Sequence, residues 1–229
     1  QKKLTDFLDP REQQIIKTLV GTTNDDLNLH MFGGGIHVER KRAIIAPYYE
    51  DIQTSDFECA LMQATYHEKF NQITHRDVLG AFLSLGLDRK KLGDIIIHNG
   101  IIQIIIAHDL LPYVIANFTQ VKRTSVTFEQ KPITELIEIT PEWIFADKVV
   151  SSLRVDVIVK EMYGLSRKDA SQLIERKLVR VNFKVIDDPA YPLYEGDLIS
   201  VRGKGRGKLV SINGETRKGR LSVTLATLK

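Results

Sequence analysis

The 229-residue sequence holds a single cysteine, Cys59, a single tryptophan, Trp143, and only seven prolines. One cysteine excludes an intramolecular disulfide framework and any zinc site built from thiolates. No apolar run approaches the roughly 18 residues that a membrane span needs. The longest candidate, Ile101 to Ala107, is interrupted by Gln103 and closed by His108 and Asp109. No leader peptide is expected, and a reducing cytoplasm is the expected compartment. The six histidines show no ligand spacing such as H-E-x-x-H, so surface or capping roles are expected and no metal site. Lys208 is followed by Leu209 rather than Ser or Thr, which rules out a P-loop. Neither a catalytic constellation nor a cofactor is expected.

What is present supports a packed protein: 43% hydrophobic and 27% charged residues, over a length that suits one or two ordinary domains or three small ones. The net charge of +3 conceals an asymmetry. Residues 1–150 hold 16 Lys+Arg against 20 Asp+Glu, or −4, and residues 151–229 hold 16 against 9, or +7. A cationic C-terminal third points to an acidic polymer or surface as partner, the alternative being a lysine-rich soluble domain.

An α+β organisation in three parts is expected, with divisions at 1–55, 56–142 and 150–229. The first part opens with Asp9-Pro10-Arg11-Glu12, a cap, a proline at the first helical position and a reciprocal glutamate. Ile15, Ile16, Leu19 and Val20 give one apolar face, and Gly21 is the expected stop. A polar loop over Thr22 to Asp26, a strand over Leu27 to Met31, the break Gly33-Gly34-Gly35 and a second strand over Ile36 to Ala46 complete a small α+β unit.

The middle part reads as a strand from Phe57 to Tyr66 and a helix capped by Thr74 and Asp77 that runs to Gly86. Strands Asp94–His98 and Ile101–Ala107 follow, joined by the hairpin signal Asn99-Gly100. A helix from Asp109 to Thr119, with Pro112 in its first turn, and a strand from Arg123 to Glu129 close the series. The order β-α-β-β-α-β is that of the ferredoxin-like unit, which includes the RNA-recognition-motif shape. Base stacking on its central strands is not expected, because no aromatic lies between Asp94 and Ala107. A spacer or docking scaffold is the expected role. Thr134 to Ser152 reads as the connection to the third part.

That third part is the most specific. Arg154-Val155-Asp156, then Ser166-Arg167 with Ala170, Leu173 and Ile174, then Val179-Arg180-Val181-Asn182, then Gly196-Asp197-Leu198-Ile199-Ser200-Val201 stand in fixed order. This pattern resembles the RNA-binding domain named after small-subunit ribosomal protein S-four. Val155 replaces the usual Leu, and Phe183 replaces the Gly after Asn. Ser166 is placed to cap a helix with Asp169, which sets Arg167 and Lys168 in a first turn where amides also favour phosphate. Arg154 starts the preceding helix, and Asp156 is expected to be an internal ion-pair or cap partner. The candidate RNA-binding residues are Arg154, Ser166, Arg167, Lys168, Lys177, Arg180, Asn182 and Lys184. Arg202, Lys204, Arg206 and Lys208 join them from a glycine-rich run read as a loop that follows phosphates closely; the alternative there is a hairpin charged for solubility. Asn182 alternatively serves its turn.

Across the full length, D-P-R-E, F-G-G-G-x-x-x-E-R-K-R, T-H-R-D-V-L-G with a later G-D-I, and an S-four domain ending R-G-x-G-R resemble the YlmH family of bacteria and plastids. The resemblance implies a factor that binds rRNA and tRNA on the ribosomal large subunit during rescue of stalled translation; a non-enzymatic monomer is expected. Family members also carry a cell-division label. Alternative readings are an RNA-modifying enzyme, of pseudouridine synthase or methyltransferase type, and a division adaptor. Against the first, Gly219-Arg220-Leu221-Ser222 has Ser where a synthase needs Asp, and Gly33-Gly34-Gly35 leads into a strand rather than a helix.

Overall fold

A computed structural model describes residues 2–23, 26–69 and 71–229. The chain divides into two units, Gln1–Ile139 and Thr140–Lys229. The first contains β1 (Lys3–Leu4), α1 (Pro10–Thr23), β2 (Leu27–Phe32), β3 (Arg42–Pro47), β4 (Cys59–Thr65) and α2 (His75–Ser84). It continues with β5 (Leu92–His98), β6 (Ile101–Ala107), α3 (Leu111–Asn117), β7 (Gln120–Val121), β8 (Thr124–Ser125) and β9 (Glu129–Lys131).

Helix α1 starts as its sequence dictates: the Glu12 amide donates to Asp9 Oδ1 at 2.9 Å, and the Asp9 amide donates to Glu12 Oε2 at 2.7 Å. It runs through Gly21 to Thr23 instead of stopping, because Gly21 does not take the left-handed conformation that ends helices. Of the expected loop at Thr22 to Asp26, Asn24 and Asp25 lie outside the described residues. The expected strand over Ile36 to Ala46 is confined to β3, since residues 36–41 are pinned elsewhere. Glu138 accepts from the amides of Ile36 at 2.9 Å and His37 at 3.4 Å. Asp94 accepts from those of Glu39 at 2.6 Å and Arg40 at 3.0 Å. A loop whose amides are taken by carboxylates cannot enter a ladder.

The middle strands form one sheet in the order β5-β6-β4-β9, with α2 and α3 on one face, which is the ferredoxin-like arrangement. Asn99 and Gly100 both take positive φ, 47° and 75°, as a two-residue hairpin of the primed type requires. The expected strand over Arg123 to Glu129 is displaced: Thr124–Ser125 pairs only with Gln120–Val121, and Leu61 pairs with Lys131. Val126 and Phe128 are buried against the helices, which takes this stretch off the sheet.

Strand β6 is buried almost throughout. Ile102, Ile104 and Ile106 face α2 and α3. Leu61, Gln103 and Ile105 face the other way and are covered by Phe7, Val38, Ile133 and Leu136. Gly34, at φ +107°, rests against Ile105 and Ile133. Gln103, 1% exposed, donates to Gln63 Oε1 at 2.8 Å and to the Glu135 carbonyl at 2.9 Å, and accepts from the Ile137 amide at 2.7 Å. Both faces of this sheet are therefore closed.

The second unit contains β10 (Trp143–Val150), α4 (Val155–Tyr163), α5 (Arg167–Glu175), β11 (Val179–Val181), β12 (Lys184–Ile186), β13 (Leu198–Val201), β14 (Gly205–Glu215) and β15 (Leu221–Leu228). Its six strands follow the order β10-β15-β14-β13-β11-β12, all antiparallel. The stretch expected to be a connection is thus in large part an edge strand. Helices α4 and α5 pack on one face through Val155, Ile158, Val159, Ala170 and Ile174.

Candidate nucleic-acid interface

The centre of the helical end of this unit is Asp156, whose side chain is 2% exposed. Arg154, at the N-cap of α4, donates two hydrogen bonds to it, Nε to Oδ1 at 3.0 Å and Nη2 to Oδ2 at 3.1 Å. Arg167, in the first turn of α5, donates from Nε to Oδ2 at 3.2 Å. The Val157 amide completes the set at 3.0 Å. Burial alone would raise the Asp156 carboxyl, but the two guanidiniums outweigh it and hold the group below the usual carboxylate range. One buried carboxylate thereby holds two arginines from different helices, and the trio keeps an excess positive charge. The arginine side chains remain 40% and 63% exposed, so their outer donors face solvent.

Ser166 caps α5 as its sequence position demands: its Oγ accepts from the Asp169 amide at 3.1 Å and donates to Asp169 Oδ2 at 2.7 Å. Lys168 is exposed on the same turn. Arg154, Ser166, Arg167 and Lys168 therefore share the helix starts.

The other candidates belong to the sheet. Arg180 pairs across β13 with Ser200, and Ser200 pairs with Arg206. Lys208 pairs with Leu198 on one side and Ala226 on the other. Gly207, between Arg206 and Lys208, points the opposite way, where a Cβ would strike Met162 of α4. Arg206 and Lys208 therefore lie on the face away from the helices. The run from Arg202 to Lys208 is not a loop throughout: Arg202, Gly203 and Lys204 form a tight turn, and Gly205 already begins β14. Gly207 is there for packing, not for phosphate approach. Tyr163, whose hydroxyl is pushed up to about 12 by burial, reaches the Gly205 carbonyl at 3.2 Å and ties α4 to this turn.

The remaining candidates are partly engaged. Asn182 donates to Asp197 Oδ1 at 2.7 Å and accepts from the Leu198 amide at 3.0 Å, so both ends of its amide serve the turn. Phe183 takes φ +65° there, the conformation that glycine would adopt without strain. Lys177 lies 3.5 Å from Asp187, and Lys184 lies 5.9 Å from the centre of the Tyr191 ring. What sequence reasoning missed is on β10: Phe145, 62% exposed, and its neighbour Trp143. Their mix of aromatic and β-branched neighbours was the available strand signal.

No group of three or more His, Cys, Asp or Glu side chains suited to a metal occurs among the described residues. Cys59 is pushed up to about 12 by burial, which removes thiolate chemistry at neutral pH. No helix among the described residues is long and apolar enough to cross a membrane.

Comparison with known proteins follows the same division. Residues 53–135 match the family model described as "Putative RNA-binding domain in YlmH", and residues 153–199 match the S4 domain. The chain is 40% identical over 227 residues to "Ribosome-associated protein quality control protein P2" of Bacillus subtilis, covering 99% of this chain and 88% of that one. Small ribosomal subunit protein uS4 of Teredinibacter turnerae is 34% identical over 62 residues, 27% of this chain and 30% of that one. Among solved structures, "Cell division protein ylmH from Streptococcus pneumoniae" superimposes with a TM-score of 0.52 at 31% identity, over 60% of this chain and 82% of that one.

Proposed function

Because this chain belongs to the YlmH family, we propose that it is a non-enzymatic factor that clamps folded rRNA together with tRNA on the ribosomal large subunit. The process is rescue of stalled translation in the cytoplasm, a reading supported by the quality-control name of the Bacillus subtilis relative. The observation that carries it is the buried Asp156 holding Arg154 and Arg167 side by side with outer donors free for phosphate. Such an array reads backbone shape and charge rather than base sequence.

In this account Arg154 and Arg167 are the phosphate anchors, assisted by Ser166 and Lys168 at the helix starts. Arg180, Arg202, Lys204, Arg206 and Lys208 supply the sheet face and its turn. Lys177, Asn182 and Lys184 serve mainly to shape the surrounding turns. The protein acts as a monomer, with residues 1–55 and 56–142 as scaffold and 150–229 as the RNA-binding part.

The test is co-sedimentation of the full chain with purified large subunits. Arg154→Ala combined with Arg167→Ala abolishes association at physiological salt and lowers the salt slope of RNA binding by about 2. Unchanged association overturns the site. A division role has behind it the name of the pneumococcal structure; binding that survives RNase and high salt would favour it.

A further inference from the structure

The end of the C-terminal sheet formed by β10 carries a feature that phosphate clamping does not use. We propose that Trp143 and Phe145 form a stacking platform for unpaired nucleotides of the bound RNA. This rests on the RNA-binding reading above and adds the form of RNA that the sheet face accepts.

The geometry follows from the register. Strand β10 pairs with β15 from Trp143↔Leu228 to Val150↔Leu221 without a shift, so its side chains alternate strictly. Val150 is buried in the core, which assigns even-numbered residues to the helix side and Trp143 and Phe145 to the opposite face. The row Phe145–Ala226–Lys208 and the row Ile144–Thr227–Gly207 agree, since Gly207 faces Met162. Two aromatics two residues apart on one face are separated by about 6.6 Å along the strand, room for successive bases of an extended chain.

Their surroundings are cationic. Lys208 lies in the Phe145 row two strands away, and Arg206 lies beside it on the same strand. The basic turn at Arg202 to Lys204 closes the same end of the sheet. Of the nearby acids, Glu142 is paired with Lys229 at 2.9 Å, while Asp147, which accepts from Thr224 Oγ1 at 2.6 Å, keeps its charge and bounds the cationic zone on the side of Val149. An aromatic 62% exposed, with lysine and arginine two strands away on the same face, is the composition of a single-strand platform, which tolerates any base because every base has a π-face.

Trp143 is the only tryptophan, so its emission reports on this site without labelling. The full chain is titrated with oligouridine of about ten nucleotides, and separately with a blunt RNA duplex of the same length. Oligouridine is expected to quench Trp143 emission saturably, whereas the duplex binds and leaves emission unchanged. Phe145→Ala should weaken oligouridine binding about tenfold with no effect on duplex binding, and Phe145→Tyr should restore it. Oligouridine that binds without quenching, or binds Phe145→Ala as tightly as the parent, overturns the platform and leaves the RNA reading standing. Failure to bind either RNA overturns that reading as well, and the platform with it.

Discussion

The two largest sheets of this protein differ in what covers them. In β5-β6-β4-β9 both faces are covered, one by α2 and α3 and the other by Phe7, Val38, Ile133 and Leu136. In the six-stranded sheet the helices cover one face, while Arg180, Lys208 and Phe145 stand on the other. The first has the strand order of an RNA-recognition motif, yet the central positions where that motif presents aromatics hold Leu61, Gln103 and Ile105, at most 1% exposed. Strand order alone therefore does not decide whether a sheet offers its side chains to a partner; whether that face is covered does.

Three changes sharpen this contrast, beginning with the largest. Asp156→Ala removes the buried partner of two arginines and an acceptor for the Val157 amide. It should destabilise the Thr140–Lys229 unit by about 2 kcal/mol, since the arginines left behind are solvated, and abolish RNA binding, as read by thermal unfolding and by filter binding. Gln103→Ala leaves the Ile137 amide and Gln63 unpaired inside the closed sheet. A loss of about 2 kcal/mol is expected there, with RNA affinity unchanged; reduced affinity would reopen that sheet as an interface.

The smallest effect concerns acid. Asp77 accepts from Lys122 and Thr74, which pull its carboxyl from 3.8 to about 2. Its folded value lies below its unfolded one, so the contribution is complete above about pH 4 and disappears as pH falls through about 2. Lys122 is half exposed, which limits the effect to about 1 kcal/mol in the Gln1–Ile139 unit. In Asp77→Asn that acid-dependent component of stability should be absent.

Much of this was legible where the cause is local. The caps at Asp9, Thr74 and Ser166 and the Asn99-Gly100 hairpin appear as their residue types require. The run Ile101 to Ala107 also appears as the strand expected of it. The cover over Leu61 and Ile105 was not legible, because Phe7 and Leu136 meet there only through tertiary folding. Trp143 to Val150 read as a connection because an edge strand that overhangs its helices has no clean alternation: Ile144 on the helix side is 56% exposed and Phe145 on the other 62%. The glycines at 203, 205 and 207 read alike, although the first two take positive φ and the third makes room for Met162. Among the candidate site residues, Arg154 and Arg167 were placed at the starts of successive helices and Asp156 was expected as an internal partner, but that the one carboxylate holds both arginines was not legible, because it depends on how the two helices pack.

The most direct test is ultraviolet crosslinking of the full chain to large-subunit RNA, with every attachment site mapped on the protein. Crosslinks are expected at Trp143, Phe145 and the residues around Arg167 and Arg202 to Lys208, with none on β4, β5 or β6. Attachment at Leu61, Gln103 or Ile105, with the C-terminal sheet unmarked, would contradict the account.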